Sequence, residues 1–251
     1  MQILKLGGSV ITNKKGRMEA DLVRIDALAE MLGRLWAGGR RDIVLVHGAG
    51  SFGHALVIEY GIKDGIRSEK DKEGYRKTQE ACAQLSKMVV GSLRSHGVDA
   101  ITVQPHDIIV QKNKRIVKFD ERRVFDLLAM GKMPVLHGDM VPDEALGGSV
   151  CSGDQMVAYL AKKAERTVLG TDVDGIMADG KLVGKIDRKN FAAVEKHLKE
   201  SDSPDVTGGM AGKIKELKGV GGEIYVANAN YPKRIEALLL GKKALCTQME
   251  F

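Results

Sequence analysis

Short apolar runs alternate along this chain with longer stretches in which apolar residues recur at helical spacing. Gln2 to Leu6 read as a strand that ends at Gly7, Gly8 and Ser9. Asp21 is placed to cap a helix carrying Leu22, Ile25, Leu28, Ala29, Leu32 and Leu35 on one side, and Gly38 and Gly39 stop it. Ile43 to Val46 form a second, fully apolar strand, whose exit is loosened by Gly48, Gly50 and Gly53. Strand, helix and strand in that order predict an α/β fold with helices covering a mainly parallel sheet.

The alternation continues to the C-terminal end. A brief helix is expected over 55–60, a polar loop over 61–74 and a long helix over 75–95 with Ala81, Leu85, Met88, Val89 and Leu93 on its apolar side. Helical spacing favours a core role for that side, with the lining of a substrate cavity as the alternative. Strands are expected over 98–103, 108–111, 115–118 and 133–136, and a helix over 119–129. Pro142, Gly147 and Gly148 mark 140–150 as a hairpin or loop, after which Ser152 and Asp154 introduce a helix running to 163. Beyond it come a strand over 167–169, a polar junction over 170–175, a small hairpin around Asp179 and Gly180, helices near 191–198, 213–218 and 234–240, and strands over 224–226 and 244–246. No solenoid repeat and no Pro-rich linker interrupts this order, so two intimately packed lobes are expected, 1–163 and 164–251.

Composition narrows the class. With 43% hydrophobic and 29% charged residues in 251, the chain can bury a substantial core and is not a disordered one. The formal charge of +6 suits attraction of phosphorylated metabolites, although an ordinary basic surface explains it equally. No basic run interleaved with aromatics points to nucleic acid. Cys82, Cys151 and Cys246 are too scattered for a disulfide framework or a CxxC pair, which favours a reducing compartment. With no apolar run of membrane-spanning length, and a first strand that leaves no room for a leader, a cytoplasmic protein without stable membrane association is expected.

The chemistry concentrates at the glycine turns. Glycines after a strand let backbone N–H groups approach an anion, and a following helix N-terminus adds a favourable dipole. Lys5 precedes the first such turn and His54 follows the second, while Lys14, Asp154 and Lys213 stand at other polar junctions. Lysines and backbone amides in that setting suit phosphoryl transfer, where charge shifts between phosphate oxygens. His54 suits recognition of a phosphate, or alternatively a local hydrogen bond that steadies its helix. Ser9, Ser51 and Ser152 fit loop shaping or binding better than nucleophilic attack, because GAGSFGH is not a GxSxG elbow. Neither a GxxxxGK[ST] loop nor an HExxH zinc motif occurs, and no metal-ligating residue is assigned.

Taken in order, MQILKLGGSVITNK (1–14), VLVHGAGSFGH (44–54), PVLHGDMV (134–141), CSGDQMVAYLA (151–161), GTDVDG (170–175) and GGMAGK (208–213) closely resemble the amino acid kinase superfamily and, within it, the archaeal isopentenyl phosphate kinases. The resemblance implies an open αβα sandwich of the amino acid kinase type, with 1–163 as a phosphate-acceptor lobe and 164–251 as a nucleotide lobe. It further implies ATP and Mg2+ as cofactors, isopentenyl phosphate as the acceptor, and a homodimer. By the same resemblance, His54 holds the acceptor phosphate, Lys5, Lys14 and Lys213 offset charge on the transferring group, and Asp154 organises the lysines. Gly7, Gly8, Ser9, Gly50, Ser51, Gly53 and Gly153 are expected around the acceptor phosphate, with Tyr75, Cys82 and Val89 beside its isoprenoid tail. Lys5, Gly8, Gly170, Thr171, Asp172, Asp174, Gly175, Gly208, Gly209 and Lys213 are expected around the nucleotide. A kinase for another small phosphate or phosphonate, and a non-catalytic nucleotide-responsive module, are the alternatives.

Overall fold

The computed structural model describes residues 1–13, 16–178, 180–198 and 210–251 in full, with the backbone alone at 199–201 and 209. In chain order the elements are β1 (Gln2–Leu6), α1 (Gly8–Ile11), α2 (Leu22–Ala37), β2 (Ile43–His47), α3 (Gly50–Tyr60), α4 (Glu69–Ser95), β3 (Ala100–Thr102), α5 (Pro105–Ile108), β4 (Ile109–Lys112), β5 (Arg115–Phe119), α6 (Arg122–Ala129) and β6 (Met133–His137). There follow β7 (Asp139–Asp143), β8 (Gly147–Cys151), α7 (Gly153–Leu160), β9 (Arg166–Thr171), β10 (Met177–Ala178), β11 (Lys181–Leu182), β12 (Lys185–Asp187), α8 (Phe191–Ser201), α9 (Gly209–Glu216), β13 (Glu223–Asn228), α10 (Pro232–Leu239) and β14 (Thr247–Glu250).

The described strands form an eight-stranded sheet in the order β12-β14-β13-β9-β1-β2-β6-β3. Every pairing in it is parallel except β13 with β14. The mainly parallel sheet expected from the alternation is therefore present, and its physical cause is visible in β1 and β2, where all positions are buried. Because side chains alternate across a strand, Leu4, Leu6 and Leu45 pack with α2, α3 and α4 on one face, whereas Ile3, Val44 and Val46 pack with α7, α8 and α9 on the other. A smaller sheet, β5-β4-β7-β8, stands beside the main one. Among the described residues, no helix is long and apolar enough to cross a membrane.

Several boundaries differ from the sequence reading, each for a local reason. The glycine-rich stretch expected as a loop is itself the first turn of α3, since burial of Ser51, Phe52 and Gly53 outweighs the poor helix propensity of glycine. The expected loop over 61–74 ends early because Ser68 and Asp71 make a capping box: Asp71 N donates to Ser68 Oγ (3.2 Å) and Ser68 N to Asp71 Oδ2 (2.9 Å). That box starts α4 at Glu69. The stretch after Val10 forms the one-turn α1 before turning into loop. Near the C-terminus the strand is Thr247–Glu250 rather than 244–246, pairing antiparallel with β13, and the short edge strand β12 pairs with it in turn.

Candidate active site

The C-terminal ends of the parallel strands surround a cavity of about 650 Å³, the place where an open α/β sheet ordinarily takes its ligand. Two loops form its base. After β1, Gly7 N donates to Gly170 O (2.8 Å), tying the first loop to the end of β9. After β2, Gly50 adopts φ +50° as the chain enters α3. The two loops touch backbone to backbone: a Cβ on Gly8 would lie 2.5 Å from Gly50 N, and one on Gly48 would lie 2.5 Å from Gly8 N. Thr12 fastens them, its Oγ1 donating to Gly8 O (2.8 Å) and accepting from Ser51 N (3.1 Å). Glycine is thus required here by close approach.

Lys5 projects from β1 towards the α7 face, where its Nζ lies 2.9 Å from Asp154 Oδ1. Both groups are buried, Lys5 to 4% and Asp154 to 9% exposure. Asp154 sits in the first turn of α7, where the helix dipole favours a negative charge, and Ser152 caps that helix by accepting from Gln155 N (3.2 Å). His54 is a half-buried residue of α3 in the cavity wall, and Lys213 reaches the same cavity from α9. Behind the loops, His47 and His137 close β2 and β6 as register partners and stack at 5.6 Å between ring centroids. Burial pushes both imidazoles down to about 4, so they are neutral at ordinary pH.

The structure gathers most of the residues singled out from sequence. Lys5, His54, Asp154 and Lys213 line one cavity with Gly7, Gly8, Ser9, Gly50, Ser51, Gly53 and Gly153. Cys82 lines it from α4, and Thr171 and Asp172 from the end of β9. Gly170 stands just behind, its carbonyl used by Gly7 N. Lys14 and Gly208 lie outside the described residues, and Gly209 begins α9.

One expectation is corrected, for Val89, and three other residues stand outside the cavity lining. Val89 is core: it is 3% exposed and packs with α2 residues such as Leu28 and Leu32. Its side of α4 is that of Cys82, but seven residues further on the helix has advanced roughly 10 Å, past the cavity. Tyr75 packs on Gly148 of β8 and joins Val57, Ile62 and Met140 in a small apolar cluster next to the cavity rather than in its lining. Asp174 follows the cavity-lining Val173 and accepts from Asn228 Nδ2 at 3.0 Å and Arg234 Nη1 at 2.5 Å. Gly175 serves the fold, since a Cβ there would meet Leu182 and Thr247 at 2.6 Å.

Sequence reasoning missed Asp139, Met140, Val150 and Cys151, which line the cavity from β7 and β8. The HGD triplet at the end of a strand was their available signal. Thr78, one turn before Cys82 on α4, was passed over as an ordinary helix residue.

A cleft with two touching glycine loops, a buried lysine–carboxylate pair and further basic residues has the make-up of a phosphoryl-transfer site of the amino acid kinase type. The model for the amino acid kinase family matches residues 1–218, and the chain belongs to that family. It is 36% identical to isopentenyl phosphate kinase of Methanothermobacter thermautotrophicus over 99% of this chain and 98% of that one. It is 34% identical to isopentenyl phosphate kinase of Methanocaldococcus jannaschii over 96% of each. A crystal structure of an isopentenyl phosphate kinase matches with a TM-score of 0.84 at 34% identity over 99% of both chains.

Proposed function

We propose that this chain transfers the terminal phosphoryl group of ATP to isopentenyl phosphate, yielding isopentenyl diphosphate and ADP. The observation that carries the reading is the joining of two glycine loops at one cavity, with His54 contributed by the first half of the chain and Lys213 by the second. The full-length similarity to kinases named for that acceptor selects it among phosphates.

In this reading the segment 1–163 holds the acceptor and 164–251 the nucleotide. The acceptor phosphate already carries a nucleophilic oxygen, so no strong base is needed. His54 and the amides of the second loop orient it, and the first loop fixes the transferring phosphate against it. An acceptor oxygen bonds to the terminal phosphorus as the bond to the bridging oxygen of ADP breaks, and negative charge moves onto that bridging oxygen. Lys5 and Lys213 offset that charge, as does Lys14 by its place in the motif. Asp154 holds the Lys5 ammonium at 2.9 Å and so fixes its direction. Magnesium would lower the charge on the nucleotide phosphates. Of the cavity carboxylates, Asp154 is bound to Lys5 and Asp139 to His106, so with Asp172 they fit an ion that keeps its waters and takes most ligands from phosphate.

The test is an assay with magnesium, ATP and isopentenyl phosphate that follows both products. Stoichiometric ADP and isopentenyl diphosphate, at higher kcat/KM than with other small phosphates or phosphonates, are expected. Neither product from a folded preparation that binds ATP, or a better acceptor of another class, overturns the assignment. His54→Ala should lower kcat/KM for the acceptor by about 100-fold while leaving KM for ATP nearly unchanged.

A further inference from the structure

Asp139 is a buried carboxylate in the wall of a cavity built for anions. It follows Gly138, whose amide donates to His47 O (2.8 Å) and whose Cα backs on the second glycine loop, 3.2 Å separating a Cβ placed there from Ala49 N. Its side chain is fully buried, just behind the surface of the cavity wall that the residue helps to form. Oδ1 accepts from Met140 N (2.9 Å), and Oδ2 lies 2.6 Å from Nδ1 of His106, on the one-turn helix α5. The other ring nitrogen of His106 lies 3.9 Å from Asp107, and the side chain is 27% exposed, so it exchanges protons with solvent.

The ion pair Lys5–Asp154, with Asp172 and Lys213, lines the same cavity, and Asp107 stands beside His106; the remaining titratable groups next to Asp139 are neutral. Burial pushes the thiols of Cys82 on α4 and Cys151 on β8 upward, and the Tyr75 hydroxyl up to about 12; the charge of Asp139 adds to each shift. His137 is held neutral by burial. His106 moves the other way, upward, mainly through its hydrogen bond to Asp139. Left alone, a carboxylate here would repel the acceptor phosphate through a medium of low effective dielectric.

We propose that His106 is a positioning residue which, protonated and bonded to Asp139, cancels the carboxylate's charge and so admits the anionic acceptor to the cavity. The inference rests on the acceptor reading above. The Asp139–His106 couple also fixes the start of β7 against α5. When His106 loses its proton, the couple becomes a net anion and acceptor binding weakens, whereas nucleotide binding at the other side of the cavity does not.

The experiment is steady-state kinetics from pH 7 to 9, where the acceptor is largely dianionic, on wild type, His106→Gln, Asp139→Asn and the double variant, with Tm measured for each. For wild type, KM for isopentenyl phosphate should rise about tenfold with pH while kcat and KM for ATP stay level. His106→Gln should show the high KM at every pH. Asp139→Asn should abolish the pH dependence, and adding it to His106→Gln should bring KM back to within about threefold of the wild-type value at pH 7. A purely structural role would make the double variant no better than His106→Gln, and that result overturns the proposal. If His106→Gln fails to fold, Asp139→Asn decides: a wild-type rise of KM with pH in that variant overturns the proposal equally. If isopentenyl phosphate is not turned over at all, both readings fall; if it is turned over with a pH-independent KM, only this one does.

Discussion

Substitution Gly8→Ala probes the contact on which the site depends. A Cβ at position 8 would lie 2.5 Å from Gly50 N and 2.6 Å from Gly50 Cα, both backbone atoms that cannot rotate away. Ordinary contact begins near 3.5 Å, so the loops must part by about 1 Å. Gly7 is anchored to Gly170 and Ser51 to Thr12, so the displacement falls on the atoms that position the two phosphates. A misplacement of about 1 Å costs roughly 100-fold in rate, or about 3 kcal/mol of barrier. The overpacking itself costs about 1–3 kcal/mol of stability, which a fold of this size tolerates. The assay is continuous ADP release at saturating substrates, with urea unfolding of the same preparation. Gly91→Ala is the control: it lies exposed near the C-terminal end of α4 with nothing within 4 Å of its Cβ, and should gain up to about 1 kcal/mol without altering kcat. A folded Gly8→Ala enzyme with kcat within threefold of wild type would refute the idea that the loops must touch.

Other consequences are equally concrete. Asp154→Leu strands the Lys5 ammonium in a buried site and should destabilise by about 3–5 kcal/mol in urea unfolding; adding Lys5→Met should recover much of that stability but no activity. Folded-state pKa values near 4 for His47 and His137 lie below the unfolded value near 6.5, so stability should be complete above pH 6.5 and decline as pH falls toward 4. The loss should approach about 3 kcal/mol per imidazole, and a His47→Gln variant whose stability shows the same pH slope would contradict this assignment. Val89→Ala should cost about 2 kcal/mol and leave KM for every acceptor unchanged, as a core position rather than a tail contact requires.

Much of the architecture was legible in the chain because it depends on periodicity. The run 2–6, apolar except at Gln2 and Lys5, and the unbroken apolar run 43–46 read as strands, and Asp21 ahead of a helical stripe reads as a helix start. The glycine turns and the identities of Lys5, His54, Asp154 and Lys213 could likewise be read as phosphate chemistry, since each lies at the end of an element. What spacing along the chain could not supply was distance across it. That Gly8 meets Gly50, and that Lys5 meets Asp154 rather than solvent, follows from β1 pairing between β2 and β9, a register set by long-range packing.

The same limit explains the errors. Cys82 and Val89 share one side of α4, and periodicity treats them alike; only the position of the helix over the sheet puts one in the cavity and the other in the core. Asp174 lies within a glycine-rich turn, and its ion-pair partner Arg234 stands sixty residues away on α10, a pairing that no local pattern shows. Asp139 stands in the motif PVLHGDMV with no role that the sequence assigns it, because the partner that gives its carboxylate meaning, His106, reaches it from a different element. Local sequence fixes which backbone shapes are cheap and which side chains carry charge. The tertiary structure decides which charges face one another once water is excluded, and that decides the chemistry.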